Sequence, residues 1–293
     1  RNHVQRELVA LETNPNGDKD YLLIGANDAF APARLEQSGQ RVQRRVISDT
    51  SLRLPDGFAF DREVYSRGDL HSGRRNQLRA ALADARLDLD EGSVVLRWAD
   101  AVEINVAPQA RLLGRAAASN TITLAVGSEF RRLNAPTIVF GAPAAQAGPD
   151  PLVRARAQNH ERFGPLTEQA RWLVRDELSV PDNRQVNTAL VVRGRLNIGT
   201  GAYLTKGIKS YKNIIIGDGV IVDGSIVSNR DITIGARCVI TGPVVAQGRI
   251  RIGPDSRFGS LEQPTTVTAS AVSVASGVVI HGTVWGREQG QVS

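Results

Sequence analysis

An isoleucine–glycine pair recurs at one constant interval in the second half of the chain, at Ile198-Gly199, Ile216-Gly217, Ile234-Gly235 and Ile252-Gly253. Three equal spacings mean a repeat architecture. Each unit is an apolar-x-Ile-Gly phrase followed by turn residues and two more short alternating stretches, which is too small to bury its own apolar face. Stacking of neighbouring units must bury it.

Extended over the whole chain, the frame puts markers at Leu54, Ser72, Leu89, Val106, Leu124 and Phe140, then at Val180, Ile198, Ile216, Ile234, Ile252 and Val274. Six residues after each marker lies an apolar side chain, from Phe60 and Leu78 through Phe258 and Ile280, with Gln146 as the exception. Alternation and β-branched enrichment favour strands over helix. A unit of about 18 residues fits three short strands joined by tight bends. The chain is therefore expected to be all-β, a parallel β-helix of about twelve 18-residue coils. The markers form two matching sets: Leu52-Arg53-Leu54-Pro55-Asp56 parallels Leu178-Ser179-Val180-Pro181-Asp182, and Leu133 with Pro136-Thr137 parallels Leu261 with Pro264-Thr265. This reads as two six-coil halves. Stacked coaxially at about 4.8 Å per coil, they would form a rod of roughly 55–60 Å.

The expected organisation is an N-terminal cap or linker over 1–50, a first β-helix half over 51–141, an insertion over 142–177 and a second half over 178–293. In the first segment Val4 to Leu11 suggests helical turns, Asn14-Pro15-Asn16-Gly17 a turn, and Arg41 to Arg45 a solvated basic run. The insertion opens with loop-forming Ala142-Pro143 and Gly148-Pro149. It then offers Leu166 to Arg175 as a short helix with Trp172 and Leu173 on its buried side. A β-helix end exposes unpaired backbone groups, and only Gly286 to Ser293 follows Trp285. Self-association through Ile280, Val284 and Trp285 is the expectation that follows.

No run approaches the length of a membrane span, about 18 apolar residues. The chain lacks Met and begins at Arg1, so a start, with a signal or anchor, is expected upstream. Arg1 and Arg6 would then favour a cytoplasmic location at the inner membrane. The formal charge is +6. Lys206, Lys209 and Lys212, with Tyr203 and Tyr211, form the one local basic cluster and the candidate contact for an acidic surface. Basic residues elsewhere alternate with acids and lack interleaved aromatics, so a nucleic-acid partner is not expected. Cys238 is in frame with Ala202, Val220 and Ser256 and reads as a small core filler. His3, His71, His160 and His281 occupy unrelated places in the frame. No catalytic residue, cofactor or metal is expected.

Gly194-Arg195-Leu196-Asn197-Ile198-Gly199, Val222-Asp223-Gly224-Ser225-Ile226-Val227 and the closing Val278-Val279-Ile280-His281-Gly282-Thr283-Val284 resemble the bactofilins, bacterial polymer-forming cytoskeletal proteins, and in particular their longer membrane-anchored members. The resemblance covers about 178–285 and, more weakly, 52–141. It implies nucleotide-independent self-assembly into filaments or sheets at the inner membrane and scaffolding of client proteins without catalysis. The resemblance is absent from 1–50 and 142–177, the core is about twice the family's usual coil count, and the insertion at 142–177 stands in the way of end-to-end packing.

The main alternative is the left-handed β-helix of hexapeptide acyltransferases, since the coil period is three times six. That family implies a histidine base at a subunit cleft, and His281 is the histidine in the repeats of the second half. The three-histidine spacing of β-helical carbonic anhydrases is missing. A pectate-lyase-like site at Asp84, Asp88, Asp90 and Glu91 is explained more simply as solvated turns.

Overall fold

The computed structural model describes residues 21–25, 40–142, 161–165 and 171–293, and every regular element among them is a strand. The strands wind into a β-solenoid of about 13 turns at 18-residue spacing. We number the coils in chain order. Coils 1–6 span 41–53, 59–71, 77–89, 94–106, 111–124 and 129–140, and coils 7–13 span 161–180, 184–198, 203–216, 221–234, 239–252, 257–274 and 278–292.

Coil 9 shows the local logic. Its strands Tyr203–Leu204, Ile208–Ser210 and Ile214–Ile216 define a first, second and third face. Leu204, Ile208, Ile214 and Ile216 point inward and are buried, while Lys209 and Ile215 point out, as a period of two requires. Each strand pairs in parallel with the equivalent strand of the next coil, so Leu196, Ile214, Ile232 and Ile250 stack in one column. Side chains of neighbouring coils thereby supply the core that one coil lacks.

The glycine of each Ile-Gly pair is demanded by close approach. A Cβ on Gly235 would lie 2.7 Å from the Gly217 carbonyl carbon, and one on Gly253 2.5 Å from that of Gly235. Two residues further along, a second column takes left-handed backbone: Gly201, Gly219 and Gly277 share it with Asn183, Arg237 and Asp255. At the corner between the second and third faces, inward serines satisfy the bend. Ser210 Oγ accepts from the Lys212 amide at 3.0 Å and donates to the Gly194 carbonyl at 2.8 Å, and Ser228 accepts from the Arg230 amide at 2.9 Å.

Three expectations change. Solenoid structure starts before residue 51, since Arg41–Val42 and Arg45–Ser48 pair with Ala59–Ser66, and Tyr21–Ile24 adds a strand on Arg45–Ser48. Arg41 and Arg45 are strand residues aimed outward, Arg41 bonded to Asp61 at 2.7 Å and Arg45 to Glu63 at 3.2 Å, and Arg44 lies at the bend between the two strands. Arg171–Val174 is a strand of coil 7 and not a helix. Its alternation packs Trp172 against the core beside Phe163, at 5.8 Å between rings, and leaves Leu173 70% exposed. The second half has a seventh coil, Val278–Val292, which continues through Gly286 to Val292, where the sequence suggested only a remnant after Trp285. Val4 to Leu11, Asn14 to Gly17, Gln146, His3 and His160 lie outside the described residues.

Candidate functional site

Coil 6 and coil 13 are the last coils of their halves, and they pair with each other. Glu129–Phe140 runs antiparallel to Val278–Val292 in the register Arg132↔Trp285, Leu133↔Val284, Ala135↔Gly282, Ile138↔Ile280 and Phe140↔Val278. Every other pairing between described strands is parallel. The two solenoids thus meet tail to tail and continue one backbone ladder from coil 1, through coils 6 and 13, to coil 7. At about 4.8 Å per step that ladder is about 58 Å long. A two-fold rotation across the axis keeps the hand of a coil but reverses the direction of its strands. Halves of equal hand meeting this way must therefore pair antiparallel.

This topology accounts for the insertion. The chain leaves the joint after Phe140 and rejoins the solenoid at Glu161 in coil 7, six coils back along the second half. With the one step from coil 6 to coil 13, that axial return is about 34 Å, well within the reach of the intervening residues at about 3.3 Å each.

The joint is packed like the rest of the core. Ile280, Val284, Leu133, Ile138 and Phe140 are fully buried, and Phe130 is 1% exposed. Gly290 lies against the Phe130 ring, where a Cβ would approach its carbons to 2.5 and 2.6 Å among its nearest contacts. Phe130 and Phe140 pack at 5.6 Å between ring centroids. The ladder is closed at its corners by Gly277 N–H donating to Phe140 O at 2.7 Å and Val292 N–H donating to Ser128 O at 3.0 Å. Outside, Asn134 donates to Thr283 Oγ1 at 2.8 Å and the Arg132 guanidinium sits 5.2 Å from the Trp285 ring centroid.

The expectation that Ile280, Val284 and Trp285 offer an open edge to a second copy is therefore corrected: the chain's own coil 6 occupies that edge. Ile280 and Val284 are interior, and Trp285 points outward at 41% exposure. The internal duplication is also offset at this point, because Leu133 is buried in coil 6 whereas Leu261 is 65% exposed at a turn of coil 12.

His281 belongs to the joint too. Its Nδ1 lies 2.9 Å from Pro136 O and 3.4 Å from Thr137 Oγ1, so the imidazole donates to a backbone carbonyl across the tail-to-tail seam. His71 is remote, 2.9 Å from Asp88, which also accepts from Asn105 at 2.8 Å on the next coil. The acids Asp84, Asp88, Asp90 and Glu91 do not converge: Asp84 accepts from Tyr65 Oη at 2.6 Å at one corner, while Asp90 and Glu91 belong to the turn at the next. Among the described residues no group of three or more His, Cys, Asp or Glu is arranged to hold a metal. Cys238 is buried, its Sγ 3.2 Å from Gly217 O, and desolvation pushes its thiol up to about 11.

The three lysines are spread across one face. Lys206 is at the corner before the second face, Lys209 projects from that face 5.0 Å from the Tyr211 ring, and Lys212 is at the corner after it. Lys212 shares that corner with Arg195, Arg230 and Arg249, a grouping the linear sequence hides.

Fold and joint together define a class: a β-solenoid of two tandem halves closed tail to tail within one chain. No family model, no curated protein and no solved structure matches it. Among the described residues no helix is long and apolar enough to cross a membrane.

Proposed function

We propose that the protein is a structural scaffold, bactofilin-like and non-enzymatic, that assembles end to end at the bacterial inner membrane. The observation that carries this reading is the joint itself. A terminal coil of this chain is closed by another terminal coil through an antiparallel ladder of nine paired positions, with an interdigitated apolar interior. Coil edges of this sequence are thus competent to bind coil edges. With the two C-terminal coils consumed, association between copies is assigned to the two outer ends, around coil 1 and coil 7. Among the described residues, the strands Glu161–Arg162 and Arg171–Val174 of coil 7 have partners on one side, in coil 8. At the other end Tyr21–Ile24 covers Arg45–Ser48 of coil 1 and among the described residues has a partner on one side only. An open ladder edge is a template for another strand, and a rod that presents such strands at both ends propagates in one dimension.

Negative-stain electron microscopy of the purified protein across a concentration series, without nucleotide or metal, tests the proposal. Filaments or regular stacks that lengthen with concentration are expected. Compact discrete particles at every concentration would overturn it.

A further inference from the structure

The tail-to-tail joint aligns two sets of basic residues that belong to different halves. In the first half, Arg79, Arg97, Arg115 and Arg132 follow one another along the corner that opens the second face, one per coil over coils 3–6. In the second half, Arg287, Arg249, Arg230, Lys212 and Arg195 lie along the corner that closes the second face. Antiparallel pairing at Arg132↔Trp285 brings the first-half corner against the outward column that Trp285 ends, with the second-half corner alongside, so that the two basic rows form one band with a sideways step at the joint. All but the half-buried Arg79 are exposed, and none has an ion-pair partner among the described residues. The contrast with Arg41, Arg45, Arg67 and Arg86, each paired with a carboxylate, shows that the chain has acids to spare for other faces. Asp231 and Glu288 lie on the edge as well, and Asp231 caps the Arg249 amide at 2.8 Å.

Beside this edge the outward column of the second face is apolar over much of its length. Leu173, Val191, Val227 and Val245 share it with Lys209 and Thr268, and Trp285 ends it at the joint. Leu173 and Trp285 are 70% and 41% exposed, and Tyr211, next to the edge, is 45% exposed. A band of cationic side chains without a carboxylate partner among the described residues, flanked by exposed leucine, tyrosine and tryptophan and by half-buried valines, is the composition of a surface that lies in a lipid headgroup layer. There the cations meet phosphates, and the amphipathic rings sit at the boundary.

We propose that this edge, with the apolar column beside it, lies flat along an anionic lipid bilayer. It deepens the location half of the function proposed above and holds for a single rod whether or not rods polymerise. The flanking column favours lipid over nucleic acid, because a polynucleotide needs cations and stacking rings but gains nothing from a row of valines.

The test is co-sedimentation of the full chain with vesicles of phosphatidylcholine alone, and of phosphatidylcholine with about one third phosphatidylglycerol, near 0.1 M salt. The same samples are imaged for filaments, so that a failure of assembly is read separately from a failure of binding. Binding to the anionic vesicles alone is expected, with a blue shift of tryptophan emission that Trp285→Phe removes. Reversing Arg97, Arg115, Arg230 and Arg249 to Glu should lower partitioning by at least about a hundredfold, from about a tenfold or smaller factor per lost cation. The same number of reversals off the edge, at Arg53, Arg86, Arg237 and Arg257, should leave binding largely intact, both variants keeping the wild-type circular dichroism. Equal loss in both variants, binding to neutral vesicles, or displacement by duplex DNA without any tryptophan shift on vesicles would each overturn the proposal.

Discussion

Replacing Val284 by Asp probes the joint at its centre. Val284 is fully buried opposite Leu133, itself fully buried, in the antiparallel register. Losing the burial of a valine side chain costs about 2 kcal/mol. The introduced carboxyl must also be kept neutral among apolar groups. At pH 7, about three units above its ordinary value near 3.9, that adds about 4 kcal/mol. The folded pKa of this group is raised above the unfolded one, so the added penalty is small near pH 4 and grows as pH rises toward the folded value. The expected destabilisation is therefore about 2 kcal/mol at pH 4 and up to about 6 kcal/mol at pH 7, limited by the free energy at which the two halves part. Trp285→Asp, one residue on, removes an outward ring and its contact with Arg132, and should cost about 1 kcal/mol. Urea unfolding of both variants and the wild type at the two pH values measures this. A Val284→Asp penalty that is independent of pH and no larger than that of Trp285→Asp would refute a buried joint.

Gly290→Val should destabilise by about 2–3 kcal/mol, because its side chain must displace the packed Phe130 ring, and thermal unfolding of the variant reads this directly. Gly217→Ala and Gly219→Ala separate two reasons for glycine: the first has ordinary φ but its Cβ would lie 2.9 Å from the Thr200 nitrogen, whereas the second has φ of 64° and open space around it. Gly219→Ala should cost about 1–2 kcal/mol, and Gly217→Ala should cost more, as denaturant midpoints will show. The Cys238 thiol, raised to about 11 by burial, stays protonated at pH 8, so a thiol reagent should label it only after unfolding in guanidinium; prompt labelling of the native protein would place it outside the core.

The coil period is legible because two columns report it independently: the inward isoleucines, and the glycines that stacking forces on the corner. In the first half the markers Leu54, Ser72, Leu89, Val106, Leu124 and Phe140 are unevenly spaced. Long strands such as Val94–Val106 turn the corners there without an Ile-Gly pair, and the resemblance between halves weakens accordingly. The last part of coil 13 is hidden for a packing reason. Its last inward positions are Gly286, Gly290 and Val292, all buried but mostly small, because at Gly290 the ring of Phe130 fills the space from the other half. A four-residue stretch such as Arg171–Val174 carries too few positions to distinguish a period of two from 3.6, so a helical reading puts Leu173 inside where alternation puts it outside. The basic edge is half visible. Arg79, Arg97, Arg115 and Arg132 recur at coil spacing, but their continuity with Arg287, Arg249 and Arg230 depends on the antiparallel joint. The pattern within one strand does not report which strand end meets which.

That joint is the claim on which the rest stands, and a spin-label distance measures it. With Cys238 replaced by serine, which its column neighbour Ser256 shows to fit, nitroxides at Arg53→Cys and Ser179→Cys mark coil 1 and coil 7 on exposed strand positions. Twelve steps of about 4.8 Å separate these coils in the tail-to-tail rod, giving about 58 Å along the axis. Stacking of coil 6 onto coil 7 would leave six steps, about 29 Å. A pulsed-resonance distance distribution centred near the longer value is what the account predicts, and one centred at or below the shorter value would contradict it.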